Sequence, residues 1–345
     1  MSLKNLIWAA LAMLVISLLP ATAEAKVQTV GCGAVIDSPG QYQLSGDLTC
    51  LVGVPPPLFC DKAAITITAS NVHLDGQGFT LSGFQGDGIG IQITSSNVHL
   101  RNITVEQFDV GVEIKGGGSN HLNGVNLTFN TPNFCGGGTG LRISNSDDNQ
   151  LINSTISINQ NWGVRILSSN GNQINNNVIV NNRSRPGFNT GNIDLLSSNE
   201  NRITNNDLSQ GGLLGVRAQD SNGNVILNNV VNDTGVTSGF GTAILLSGST
   251  DNVVQGNLID REPSPLSPFR GIFLFDSTRN IVRANTVQNH NGSGIILFQG
   301  ALDNLIHANA AVNNTPWDLE DDNANCDANT WKANKFGTAN QSCIR

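Results

Sequence analysis

The chain has 345 residues, a formal net charge of -8, 13% charged residues and 38 glycines. An acidic chain without a Lys/Arg-rich run is a poor partner for nucleic acid, whose phosphates call for clustered cations. The first element is a leader. Lys4 opens a short basic region, Leu6 to Leu19 is apolar, and Ala23-Glu24-Ala25 is a small-x-small site. Residues 1–25 therefore read as a secretory signal peptide cut after Ala25. The apolar run is short for a membrane anchor and no later stretch could span a bilayer, so no membrane insertion is expected after cleavage. The mature protein is expected to be exported, to a periplasm or beyond the cell.

All six cysteines follow that site: Cys32, Cys50, Cys60, Cys135, Cys326 and Cys343. None forms a CxxC, which argues against a zinc ribbon or a thioredoxin-type centre. In an oxidising compartment they read as disulfides. The expected pairs are Cys326 with Cys343, Cys32 with Cys50 and, by elimination, Cys60 with Cys135.

From residue 64 onward the chain repeats. Gly precedes an apolar–x–apolar triplet at Gly90, Gly111, Gly140, Gly163, Gly215, Gly271 and Gly294, and Asn192 and Thr242 take its place in two more copies. The period is irregular, roughly 21 to 30 residues, which suits a solenoid with loop insertions. A second pattern, Asn-x-apolar-x-x-Asn-x-apolar, follows each start. Its first Asn falls at Asn120, Asn149, Asn172, Asn201, Asn224, Asn252, Asn280 and Asn304. Its second position falls at Ser154, Asn177, Asn206, Asn229, Asn257, Asn285 and Asn309, with one apolar residue such as Ile174 or Ile203 between. Short alternating strands between Asn and Gly turns, with no helical period, mean strands that each turn a corner. Stacked coils place one Asn above another, where the amides can bond along the stack and to turn backbone. The single apolar residues then fill a narrow core.

The stretches IDSPGQYQLSGDLTC, ITASNVHLDGQGFTLSG and GIGIQITSSNVHLRNITVEQFDVG, with the closing NCDANTWKANKFGTANQSCI, resemble the right-handed parallel β-helix repeat proteins. That superfamily includes pectate lyases, polygalacturonases and the periplasmic NosD-like proteins. The resemblance covers nearly the whole mature chain. It implies an all-β fold, a right-handed single-stranded parallel β-helix of about ten coils. Residues 26–63 are expected as an N-terminal cap with first strands, 64–318 as the repeats, and 319–345 as a C-terminal cap stapled by Cys326 and Cys343. Caps protect the terminal strands of a solenoid from edge pairing.

In polysaccharide-processing β-helices the chemistry lies on the outer face of one parallel sheet, beside the longest loops. Insertions here fall at 128–139, 179–190 and 259–270, flanking the strand that begins at Gly. The outward residues of that strand are expected to run Gln92, Glu113, Arg142, Arg165, Asp194, Arg217, Ile244, Phe273 and Ile296. A second row is expected to include Leu246, Phe275 and Phe298. One half of the face is charged and the other apolar and aromatic. Arg142, Arg165 and Arg217 suit uronate carboxylates, and an Arg there could act as the base of a lyase. Phe273, Phe275 and Phe298 suit stacking on sugar rings. The simpler alternative is a surface ladder in which Asp194 neutralises Arg165 and Arg217 and the aromatic residues pair across strands.

Catalysis has weaker sequence support. Glu113 and Asp194 are three coils apart, roughly 14 Å at the strand spacing, beyond the ~5–9.5 Å of a glycosidase carboxylate pair. The NTD, GHG, RIK and DPHE motifs of related enzymes are absent. No cofactor is expected. Calcium is left open, because Asp147 and Asp148 stand near the face, although adjacent Asp in an Asn-rich turn serves turn chemistry. The leading expectation is an exported, non-catalytic protein that binds polysaccharide, a cell-surface glycan or another extracellular surface partner. The alternative is a polysaccharide lyase, hydrolase or epimerase acting on an acidic glycan. The NosD-like resemblance also implies a copper accessory role, but the only methionines, Met1 and Met13, lie in the leader.

Three of the five histidines share one repeat position. Aligning Leu74, Leu100 and Leu122 as inward residues puts His73, His99 and His121 outward in successive coils, in a row that continues to Gln150 and Gln173. The imidazoles should stack at about 4.8 Å. Two neighbouring rings could lean together on a zinc or copper ion and three in a straight row would strain, so the row is a weak metal candidate and a solvated stack is the expected reading; mutual repulsion should lower their protonation.

Overall fold

The computed structural model describes residues 26–52, 61–84, 88–132, 137–183, 190–233, 241–260 and 269–345. The leader at 1–25, Cys60 and Cys135 lie outside the described residues, as do parts of the three insertions. The fold is an all-β parallel solenoid. A single 3₁₀ turn, Ala324–Cys326, interrupts the series of strands among the described residues.

One coil shows the plan. Trp162–Leu167 is followed by Gln173–Asn175 and Val178–Val180, each strand on a different face. Stacking generates a twelve-stranded sheet from Ala34–Ile36 to Leu319–Asp321 and a thirteen-stranded sheet from Gln28–Thr29 to Thr330–Lys332. The third face consists of a six-stranded and a three-stranded sheet. Single bridges Val178–Asp207, Asp207–Val230 and Val230–Leu258 join them. Neighbouring strands are parallel and in register, as Arg142 with Arg165 and Leu151 with Ile174.

Alternation places Val164, Ile166, Ile174 and Ile179 of this coil inward, all fully buried. The corners need left-handed backbone, which Asn tolerates better than most side chains. Asn153, Asn176, Asn205 and Asn228 take it, with φ of 50° to 57°. The asparagine that follows each corner turns into the stack. Asn229 accepts from the backbone N–H and Nδ2 of Asn206, both at 3.0 Å. It donates its own N–H and Nδ2 to Asn257 Oδ1 and Nδ2 also to the Ile203 carbonyl, at 2.9–3.1 Å. Each rung is thus a buried amide with its donors and acceptor engaged, the condition under which a polar core group is tolerated.

Both expected ladders form. The first passes from Asn120 through Asn149, Asn172 and Asn201 to Asn329. Every amide-to-amide bond of this ladder runs toward the C-terminal end, where Asn329 Nδ2 meets Asp321 Oδ2 at 3.2 Å, while most rungs also donate Nδ2 to a carbonyl of the preceding coil. Two further ladders were not anticipated. Asn130, Asn159, Asn182 and Asn192 form one at the third corner. Ser146, Ser169, Ser198, Ser221, Ser249 and Ser277 form the other, the hydroxyls from Ser169 onward each accepting the preceding serine's N–H at 3.0–3.2 Å.

The recurrent Gly marks a tight passage between faces. A Cβ on Gly163 would lie 2.7 Å from Ile179 Cγ2 and from Asn182 Nδ2. One copy of this position needs correction. Val216 pairs with Ile244 and Arg217 with Leu245, so Ala243, not Thr242, stands level with Gly215. Ile244 and Leu246 are fully buried, and Leu245 and Ser247 occupy the outward rows. Disulfides join Cys32 to Cys50 and Cys326 to Cys343.

Candidate functional site

The outward row of the twelve-stranded sheet runs Gln92, Glu113, Arg142, Arg165, Asp194 and Arg217, one residue per coil. The same sheet carries it on through Leu245, Phe273 and Ile296 to Glu320. Its charged half is internally paired. Glu113 accepts from Gln92 Nε2 at 2.8 Å and from Arg142 Nε at 2.9 Å. Asp194 accepts from Arg165 Nε at 3.0 Å and from Arg217 Nε and Nη2 at 2.8 and 3.0 Å. The Arg217 guanidinium also lies 5.1 Å from the Trp162 ring centroid. Both carboxylates are nearly inaccessible, Glu113 at 5% and Asp194 at 0% exposure. Their lone pairs are directed at neighbouring coils, so this half carries the geometry of a structural ion-pair ladder.

The aromatic half is different. Phe273, Phe275 and Phe298 come together with ring centroids 6.0–6.4 Å apart. The Arg270 guanidinium sits 4.6 Å over the Phe273 ring. Beside them opens a cleft of about 200 Å³ whose lining includes Arg270, Phe273, Phe298, Ser293, Glu320 and Asp322. Burial is the main cause that lifts the Glu320 carboxyl above its ordinary range. The Ser293 hydroxyl opposes that, the Asp322 charge adds to it, and Arg270 opposes it. Apolar ring faces beside a few polar groups in a concavity are what a small-molecule or sugar site offers.

Sequence reasoning missed Glu320, Asp322 and Arg270. Glu320 is the next member of the Phe273–Ile296 row, so extending that row by one coil would have found it. Arg270 lies one residue before the repeat Gly271, beyond the alternation that was followed.

On the thirteen-stranded sheet, His73 pairs with His99 and His99 with His121, as the alignment required. The rings stack with centroids 4.5 and 4.9 Å apart and interplanar angles of 18° and 3°. They line a groove of about 250 Å³ with Gln41, Asp75, Arg101 and Asn123. Burial first, then the charges of His73 and His121, lowers the His99 imidazole from its usual value.

Residues 186–342 match the family described as periplasmic copper-binding protein (NosD), and this part of the chain is a NosD-like parallel β-helix domain. No curated protein matches the chain. Among solved structures, the A-module of mannuronan C-5 epimerase AlgE6 from Azotobacter vinelandii aligns over 94% of this chain and 88% of its own, at 14% identity and a TM-score of 0.68. The catalytic domain of an α-1,3-glucanase in complex with nigerose aligns over 92% and 61%, at 14% identity and a TM-score of 0.58. The periplasmic alginate epimerase AlgG aligns over 85% and 84%, at 14% identity and a TM-score of 0.54. At these identities the likeness is one of fold.

The residues present do not fit copper. Within 186–342 there is no methionine, and Cys326 is bound to Cys343, one residue past the matched segment. No group of three or more His, Cys, Asp or Glu is disposed to hold a metal ion among the described residues. No helix among them is long and apolar enough to cross a membrane.

Proposed function

We propose that this is an exported β-helix protein that binds a glycan in the cleft at the aromatic end of the twelve-stranded sheet. In this reading residues 1–25 direct export, and the two disulfides suit an oxidising compartment. One observation carries the reading: Phe273 and Phe298 stand over a concavity that also holds Glu320, Ser293 and Asp322. A sugar ring can lay its apolar C–H face on an aromatic ring while its hydroxyls bond to the polar rim. The fold is also shared with proteins whose names record work on alginate and α-1,3-glucan. With two carboxyl groups at the rim, the cleft suits a neutral glycan better than a uronate. The charged half of the face, with Glu113, Arg142, Arg165, Asp194 and Arg217, then serves as scaffold.

A second reading, catalysis on the bound glycan, has its own observation. Glu320 is displaced toward the protonated form and Asp322 lies in the same cleft. A carboxyl with raised proton affinity beside a second carboxyl group is an arrangement acid–base pairs use.

The test is a glycan array on the mature protein with the Phe273→Ala and Phe298→Ala variants. Binding to a neutral glycan that falls about tenfold or more in both variants supports the site, an effect of the size expected for losing an aromatic contact. Binding that survives both places the site elsewhere. Release of reducing or unsaturated ends, abolished by Glu320→Gln with binding retained, decides for the enzyme.

A further inference from the structure

The histidine row is a built feature on a different sheet, unused by the reading above. Its three rings are in register and nearly parallel, at 4.5 and 4.9 Å. Parallel planes cannot converge their in-plane nitrogen lone pairs on one ion, which argues against chelation. The same arrangement suits a different ligand. Each protonated imidazole presents N–H donors at its edge, and the rings that carry them are spaced 4.5 and 4.9 Å centre to centre. A carboxylate set across a gap between two rings can give one oxygen to each neighbour, within the ~2.7–2.9 Å of charge-assisted bonds. The row has two such gaps, His73–His99 and His99–His121. Their centres are separated by roughly one strand spacing, about 4.7 Å. The two carboxyl carbons of a four- or five-carbon dicarboxylate lie roughly 4–5 Å apart in the extended chain, from C–C bonds of about 1.5 Å.

We propose that the groove over His73, His99 and His121 binds a small dicarboxylate anion, one carboxylate per gap, when the imidazoles are protonated. The groove's volume, about 250 Å³, admits such a molecule with some water. The charged groups facing the row are Asp75 and Arg101. They are bonded to each other at 2.8 Å, so their charges largely cancel. Arg101 bonds Asp75 through Nε and Nη2 of its five-donor fork. Asp148, in the turn before Gln150 and one coil beyond His121, is the next carboxylate along the row. Gln41 and Asn123 supply neutral rim groups, and Asn97 Oδ1 lies 3.3 Å from His99 Nε2. Without an anion, burial first and then the charges of His73 and His121 oppose protonation of His99. A bound dicarboxylate reverses that opposition, so binding and proton uptake are linked.

The test is glutarate titrated into the mature protein at about pH 5.5 and about pH 7.5, followed by imidazole NMR signals and calorimetry. The expected result is movement of all three histidine spectra and affinity at least about tenfold tighter at the lower pH, the linkage of one or more protons. The triple change His73→Gln, His99→Gln, His121→Gln should abolish it. That variant should fold, because Gln41, Gln150 and Gln173 already occupy the same column. His99→Gln alone should remove both gaps and most of the affinity. The proposal fails if the histidine spectra do not move. It also fails if the triple variant binds glutarate as well as the parent does, or if acetate at equal carboxylate concentration binds as tightly. Phe273→Ala should leave the result unchanged, which separates it from the glycan cleft.

Discussion

Asn229 shows how much one side chain does in this fold. It is 1% exposed, and its amide and backbone N–H make five hydrogen bonds to Asn206, Asn257 and Ile203. Asn229→Ala leaves buried donors and acceptors on both neighbouring coils unpaired. The expected cost is about 1–3 kcal/mol, read from urea unfolding, with the fold retained. His99 gives a pH-dependent counterpart. Its folded imidazole takes up a proton less readily than in the unfolded chain, chiefly from burial and then from His73 and His121. The unfolded state therefore binds the proton first on acidification. The His99 contribution is fully present above the ordinary imidazole value and is lost as pH falls through it toward the folded value. In thermal melts from pH 8 to 5, His99→Gln should lose stability less steeply than the parent. The His row and the Asn rungs were legible because each depends on one residue type recurring at one offset. Glu320 continues the Phe273–Ile296 row by one coil, but it lies beyond the last Gly-led repeat, Gly294, where the legible row ends.

At the scale of strands and corners, the Gly of each repeat holds two faces close together. Gly163→Ala would push a methyl to 2.7 Å from Ile179 Cγ2 and Asn182 Nδ2. It should lower stability by about 1–3 kcal/mol through overpacking, checked by the denaturation midpoint. The strand Gly241–Ser247 explains the one register error. Its AILL run is apolar at inward and outward positions alike, so alternation cannot say which set faces the core. The pairing of Arg217 with Leu245 decides it. The third Asn ladder escaped notice because it ends beside the insertions, where the spacing to the next strand varies. The serine ladder escaped because Ser is common in turns and carries no signal until the turns are stacked.

Over the whole molecule, each coil touches only its neighbours, so stability is close to a sum of coil and interface terms and the ends are the weakest points. The Cys326–Cys343 bridge closes a short loop at one end. Changing both to Ser should cost about 3 kcal/mol by the loop-entropy estimate. Hydrogen exchange should rise first in Leu319–Asp321 and Thr330–Lys332, with the central coils unaffected. Fold class was readable from the sequence because the repeat is written many times over. The cleft was not, because it is assembled from strands of three successive coils and the segment beyond them.

The direction of the asparagine bonds has an electrical consequence. Along each ladder Nδ2 donates to the next coil's Oδ1 as well as to a preceding carbonyl, and Oδ1 accepts from the coil before, so the amide C=O dipoles share one direction, as peptide dipoles do along a helix. The positive pole falls at the C-terminal end, and anions stand there. Asp321 receives Asn329 at 3.2 Å, and Asp318 receives Asn314 at 3.0 Å. At the opposite pole the first acceptor, Asn120 Oδ1, is met by the Val98 backbone N–H. The two ends of the stack are therefore not interchangeable. At the C-terminal end the last rungs meet oxygen acceptors, Asn329 on the Asp321 carboxylate and Asn334 on the main-chain oxygen of Arg345.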